Sequence, residues 1–256
     1  MNTYSDKQFV ELFHLLFLAQ LGAKLDKRRF VLKGGCNLRF FLKSPRYSED
    51  MDLDASGVPV DKLEEKVGGI LRSASFAMIL KSKGIQIAHI NDDKQTQTTQ
   101  KWKLGLSVER IERPLPTKIE FSRRGTGEGA AFESIDPMLI GSYQLQPFMT
   151  SHYPMQAAYQ QKVSALVDRA ETQARDVFDL HLLLSSGVRA GDIPQKLRGR
   201  LGEARDNVMT LDYPVFKGQV LAYLQPEQQA LYDAKVWDTM RLAVIEAFEK
   251  VEHETA

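Results

Sequence analysis

The chain has 256 residues, 34 Lys+Arg against 33 Asp+Glu and 43% hydrophobic residues, a globular composition long enough for one large domain or two small ones. The near-balance of charge excludes a protein that coats polyanions wholesale but permits a local basic face. A single cysteine, Cys36, excludes an internal disulfide and a cysteine-cluster zinc site and fits a reducing compartment.

Nothing at the N-terminus has the cationic start and cleavage site of a secretion signal. The apolar run Phe9 to Leu21 is interrupted by Glu11, His14 and Gln20 and falls short of the roughly 20 residues a membrane span needs, so a soluble, cytoplasmic protein is expected. Ser5 with Gln8 reads as a capping box, and Phe9, Leu12, Phe13, Leu16 and Leu21 recur at helical spacing until Gly22. Arg29 to Lys33 reads as a short strand that stops at Gly34-Gly35, with a helix over Asn37 to Leu42 ended by Pro45. Met51 to Asp54 reads as a second strand and Val60 to Arg72 as a helix. From Gly84 to Phe121 the period becomes two (Ile85, Ile87; Trp102, Leu104, Leu106, Val108; Ile119, Phe121), which predicts an antiparallel meander. Arg123 to Pro137 reads as a loop rich in glycine and charge. Beyond Pro154 the pattern is helical, at about 155–169, 171–186, 227–233 and 235–252. The passage from mixed to helical structure lies near 125–154, giving an α/β (α+β) domain over 1–140 and a helical domain over 141–256.

Two places carry chemistry. Glycines at a strand-to-helix turn, here Gly34 and Gly35 after Lys33, let backbone N–H groups and a helix dipole approach a phosphate, although a lone Gly-Gly is more often an ordinary turn. Asp50 and Asp52, at i and i+2 of a strand, project from one face, the spacing that holds divalent cations between two carboxylates, while Met51 and Leu53 face the core. Lys118-Ile119-Glu120-Phe121 repeats the device, so Glu120 could supply a third carboxylate. Strand, Gly-Gly, helix, Asp-x-Asp strand and a later carboxylate strand together resemble the DNA polymerase β-like nucleotidyltransferase superfamily, which implies a nucleotidyltransferase core of a mixed sheet flanked by helices.

A closer resemblance rests on Lys33-Gly34-Gly35, on Arg46-Tyr47-Ser48-Glu49-Asp50-Met51-Asp52-Leu53, and on Lys162-Val163-Ser164-Ala165-Leu166 followed by Arg169 and Arg175-Asp176-Val177-Phe178-Asp179-Leu180. These are similar to the motifs of AbiEii/AbiGii-type toxin nucleotidyltransferases over roughly residues 30–185. One departure is Cys36-Asn37, where Thr-Ala is expected.

The resemblance implies metal binding by Asp50 and Asp52, joined by Glu120, around two magnesium ions. It implies a triphosphate held at Gly34 and Gly35, with Arg46 and Ser48 beside it and Lys33 among the nucleotide-binding residues, and a helical domain closing the nucleotide cleft. Arg46 and Lys162 suit neutralisation of a nucleoside triphosphate. Asp176 and Asp179 share a helix face, which suits either a network to Lys162 and Arg169 or contact with the nucleotide. The implied activity is transfer from an NTP to an RNA acceptor such as a tRNA 3′ end, by the toxin of a toxin–antitoxin or phage-defence pair with a cognate antitoxin protein. The alternatives are a small-molecule, antibiotic-type nucleotidyltransferase and a catalytically silent nucleotide-binding module. His14, His89, His152, His181 and His253 show no metal-ligand spacing, and Gly125 to Gly129 lacks the Lys-Ser/Thr of a P-loop. Lys24, Lys27, Arg28 and Arg29, with Lys196, Arg198 and Arg200, read as an RNA path or as solvated faces.

Overall fold

The structure, a computed structural model, describes residues 4–109, 111–125 and 127–253. Residues 1–3 and 254–256, the extremes of the two expected domains, and Thr126 of the glycine-rich loop lie outside the described residues. The chain divides into two compact units, Met1–Lys43 with Tyr47–Tyr153, and Ser44–Arg46 with Pro154–Ala256.

In the first unit Ser5 and Gln8 form the predicted capping box at the start of α1 (Asp6–Lys24), which runs through Gly22 because the next turn still closes its hydrogen bonds. Apolar residues from Val10 to Leu18 are buried almost all round the helix, and the polar Glu11 among them is satisfied by Arg39 and Tyr143. After a short 3-10 turn, Lys27–Arg29, come β1 (Phe30–Lys33), α2 (Gly34–Phe41), β2 (Asp50–Ala55), α3 (Val60–Leu71) and α4 (Ala74–Ser82). Then follow β3 (Ile85–Gln95), β4 (Thr99–Val108), β5 (Leu115–Ser122), β6 (Ala131–Ser134), α5 (Pro137–Ser142) and β7 (Met149–His152).

Among the described residues the strands make one seven-stranded sheet in the order β3-β4-β5-β2-β1-β7-β6. The meander β3-β4-β5 is antiparallel as predicted, while β5 runs parallel to β2, β2 antiparallel to β1 and β1 parallel to β7. Met51, Leu53, Trp102, Leu104, Leu106, Ile119 and Phe121 form the buried face, in one core with Phe13 and Phe17 of α1, Leu63 of α3 and Phe76 of α4. Each such side chain contributes about 1.5–3 kcal/mol by leaving water.

Two stretches of the first unit form elements that spacing did not predict. The segment read as a loop carries β6, and α5 and β7 follow it; strands of four residues are too short to show a period. The second is α4, started by Ser73, whose hydroxyl accepts from the Phe76 N–H.

The second unit holds α6 (Met155–Asp168), α7 (Ala174–Ser185), α8 (Gln195–Arg198), α9 (Leu201–Met209), α10 (Tyr213–Gln219), α11 (Pro226–Gln229) and α12 (Ala234–His253), with a 3-10 turn at Leu221–Tyr223. α7 packs against α6, α10 and α12. Phe178, Phe216, Tyr232 and Trp237 form its aromatic core, in which the Phe216 and Trp237 rings stack with centroids 4.4 Å apart. No described helix is long and apolar enough to cross a membrane.

Candidate active site

Register assembles the first group of residues. Lys33 on β1 lies opposite Asp52 on β2, Asp52 opposite Glu120 on β5, and Asp50 opposite Lys118. Cross-strand partners share a face and side chains alternate along each strand. Lys33, Asp50, Asp52, Lys118 and Glu120 therefore stand together on the polar face, while Met51, Leu53, Ile119 and Phe121 are fully buried on the other.

Lys118 Nζ lies 3.0 Å from Asp50 Oδ2 and 3.7 Å from Glu120 Oε2, and Lys101 Nζ lies 2.9 Å from Glu120 Oε2. Burial alone would raise the Glu120 carboxyl, but the Lys101 hydrogen bond and the Lys118 charge outweigh it and hold the pKa below its usual value. Lys118 is the mirror case: burial would lower it, and Asp50 outweighs that and raises it. The Asp52 carboxylate forms no ion pair or hydrogen bond among the described residues. Burial pushes its carboxyl up, Lys118 and Lys33 oppose the shift, and repulsion from Asp50 and Glu120 adds to it.

The glycines are the first residues of α2 rather than a turn ahead of it. Gly34 takes φ 66°, a conformation open to glycine at no steric cost. A Cβ there would stand 3.0 Å from Asp52 Oδ2, so the glycine lets the helix start abut the carboxylate. Ser48 Oγ and the Cys36 thiol both donate to the Asp50 carbonyl, at 2.8 and 3.3 Å. Cys36, the departure from the expected motif, thus helps to pin the strand that carries both aspartates; burial raises its thiol pKa well above the ordinary value.

Lys33 bonds Asp54 Oδ1 at 2.6 Å, and the Tyr153 hydroxyl donates to Asp54 Oδ2 at 2.6 Å. Asp54 is a residue the sequence reading passed over. Its signal was the third place in the i, i+2, i+4 series Asp50, Asp52, Asp54.

The second group lies in the second unit, to which Arg46 belongs. Lys162 Nζ lies 2.8 Å from Asp176 Oδ1 and 2.6 Å from Asp179 Oδ2; Arg46 Nη2 lies 3.0 Å from Asp179 Oδ2 and Arg169 Nη1 3.2 Å from Asp176 Oδ2. Both aspartates are wholly buried, Lys162 and Arg46 nearly so. Burial would raise the Asp179 carboxyl, but Arg46 and Lys162 hold it below the usual range. Of the two arrangements open to Asp176 and Asp179, the side chains form the charge network, in which three cations surround two anions.

Among the described residues no group of three or more His, Cys, Asp or Glu side chains converges to hold a metal ion. Asp50 and Glu120 are already engaged by Lys118 and Lys101, so a divalent ion at Asp50 and Asp52, taking its other ligands from water and substrate phosphates, would have to displace Lys118 from Asp50 and would relieve the burial-stressed Asp52. His14 is a packing residue, fully buried, bonded to Thr117 at 2.8 Å and lowered by burial to a pKa of about 3.

A family profile described as "Nucleotidyl transferase AbiEii toxin, Type IV TA system" matches residues 16–251. The fold is similar to that of the crystal structure of JHP933 from Helicobacter pylori, with a TM-score of 0.59, 20% identity and coverage of 99% of this chain and 98% of that one. It is also similar to a second H. pylori structure, solved as a candidate nucleotidyltransferase, with a TM-score of 0.58, 20% identity and coverage of 96% and 97%. No curated protein sequence matches the chain.

Proposed function

The chain belongs to the AbiEii family of nucleotidyl transferase toxins from type IV toxin–antitoxin systems, and on that premise we propose that it moves a nucleotidyl group from a nucleoside triphosphate to an RNA 3′ end, foremost that of a tRNA. The observation that carries this reading is the register that sets Asp52 between Lys33 and Glu120, with Asp50 on the same face.

The N–H groups at the start of α2, opened by Gly34 and Gly35, are the cradle for the triphosphate. Ser48 and Cys36 fix the Asp50 carbonyl, and with it the entry of the carboxylate strand. Asp50 and Asp52 would hold magnesium, with Glu120 as the adjoining carboxylate; the bound ion supplies charge neutralisation at the phosphoryl oxygens and a more acidic acceptor hydroxyl. Within the second unit Lys162 and Arg46 are tied to the buried Asp176 and Asp179. Catalysis is then largely positioning and charge stabilisation. Lysines 101, 103 and 118 on the carboxylate face suit a polyanionic acceptor and would repel a cationic antibiotic. A cognate antitoxin protein, a cytoplasmic site of action and a role in phage defence go with this reading.

The test expresses the wild type and Asp52→Ala from a tightly controlled promoter and sequences cellular tRNA 3′ ends. Arrest with extended ends in the wild type alone is the expected outcome. Arrest in both, or arrest with unextended ends, would overturn RNA transfer as the toxic activity.

A further inference from the structure

Beside the carboxylates the polar face continues across the meander in two rows. One runs Lys94, Lys101, Glu120, Asp52, Lys33 over five adjacent strands, and the other runs Asn91, Lys103, Lys118, Asp50 over four. Lys94 therefore faces Lys101, and Lys103 faces Lys118, although like charges directly opposite one another destabilise a sheet. Glu120 answers Lys101, and Asp50 and Glu120 answer Lys118. Lys103 forms no ion pair among the described residues, and Lys94 acts on Glu120 only at longer range.

This arrangement depends on two irregularities of β3. Its register slips between Ile87 and His89 and again between Asn91 and Lys94. Regular alternation would turn His89 to the core face with Ile87 and would set Asp93 against Lys101. The first slip instead brings His89 to the polar face opposite Gly105, and the second replaces an acid by Lys94. The imidazole lies over Gly105, where any Cβ would collide with it. A cavity of about 410 Å³ opens here, lined by His89, Lys103, Pro116 and Lys118 and reaching Glu49 and Asp50.

We propose that this face is the track for the acceptor: a single-stranded polynucleotide 3′ end enters from the β3 edge, its phosphates on Lys94 and Lys103 and a base on the His89 ring, so that its terminal hydroxyl arrives at Asp50 and Asp52. The inference rests on the RNA reading above. Aromatic stacking combined with a basic groove is the usual way single strands are held.

The probe is a fluorescein-labelled, short single-stranded oligoribonucleotide, titrated by anisotropy over a range of salt. Lys94→Gln and Lys103→Gln should each weaken binding several-fold and reduce the slope of log affinity against log salt by about 0.7. His89→Ala should weaken binding about five-fold or more with the slope unchanged, and Gly105→Ala, which displaces the ring without removing it, should do the same. Lys217→Gln, at an exposed position of α10, should match the wild type. Calorimetric titration with a non-hydrolysable NTP should show unaltered nucleotide affinity in all variants. RNA binding and extension unchanged in the four track variants would overturn the track and leave the RNA reading standing. Weakened NTP binding in them would also overturn it, by assigning the face to the nucleotide. A wild type that neither binds nor extends RNA would sink the RNA reading itself, and the track with it.

Discussion

Replacing Lys162 with methionine should destabilise the second unit by about 3–5 kcal/mol at neutral pH. The ammonium contacts two wholly buried aspartates, at 2.8 and 2.6 Å. At an effective dielectric of about 20, each contact is worth about 6 kcal/mol of attraction, and the several kcal/mol of lysine desolvation offsets more than half of the sum. Methionine fills most of the lysine's volume, so the loss is chiefly one of charge. Asp176 would keep only Arg169, 38% exposed, and Asp179 only Arg46. The pH dependence has a definite sign. The Asp179 carboxyl is depressed in the folded state, so its stabilisation is present above the unfolded carboxylate value and is lost as pH falls through the lower folded one. Without Lys162 the folded value rises, and the gap between variant and wild type should narrow below about pH 4. Urea denaturation in a Trp102→Phe background, where Trp237 alone reports on the second unit, measures both effects. A loss under about 1 kcal/mol at pH 7, or a gap that persists to pH 3, would refute a dry, mutually compensated cluster.

Asp52→Asn should reduce labelled-nucleotide incorporation by about three orders of magnitude while holding or raising the melting temperature, because it removes a carboxylate stressed by burial and by Asp50 and Glu120; calorimetry and an incorporation assay decide. Gly34→Ala should cost about 1–2 kcal/mol for its left-handed backbone and, by crowding Asp52, lower kcat more than Gly35→Ala does, which denaturation and steady-state kinetics test. The buried His14, with its pKa near 3, stays neutral while the unfolded histidine takes up a proton below about 6.5. Stability should therefore fall by about 2 kcal/mol as pH drops from 6.5 to 5, and His14→Gln should flatten that limb of the denaturation profile.

Long periodic elements were legible in the sequence: the capped α1, the meander and the alternation of Asp50, Met51, Asp52 and Leu53 all follow from spacing. The start of α2 was not, because glycine reads as a breaker while Gly34 here opens the helix at positive φ. Spacing placed Asp176 and Asp179 on one face, but whether a charged ladder lies on the surface or in the interior depends on what packs over it, and Arg46 arrives from a hundred and more residues away. The slips of β3 were invisible for a related reason. A bulge is fixed by the partner strand, so Asp93 and Lys94 cannot be told apart from β3 alone.

The grouping of Ser44–Arg46 with a unit whose other residues begin at Pro154 bears on how such a protein can be inherited. A genetic crossover just after Tyr153 would import Asp179, Lys162 and Asp176 together but leave Arg46 to be supplied by the older part of the gene. The helical unit is therefore not a cassette. Chimaeras of two relatives joined at that point should fold well only when the resident segment happens to carry an arginine for the incoming aspartate, and a swap that moves residues 44–46 along with 154–256 should restore those that fail.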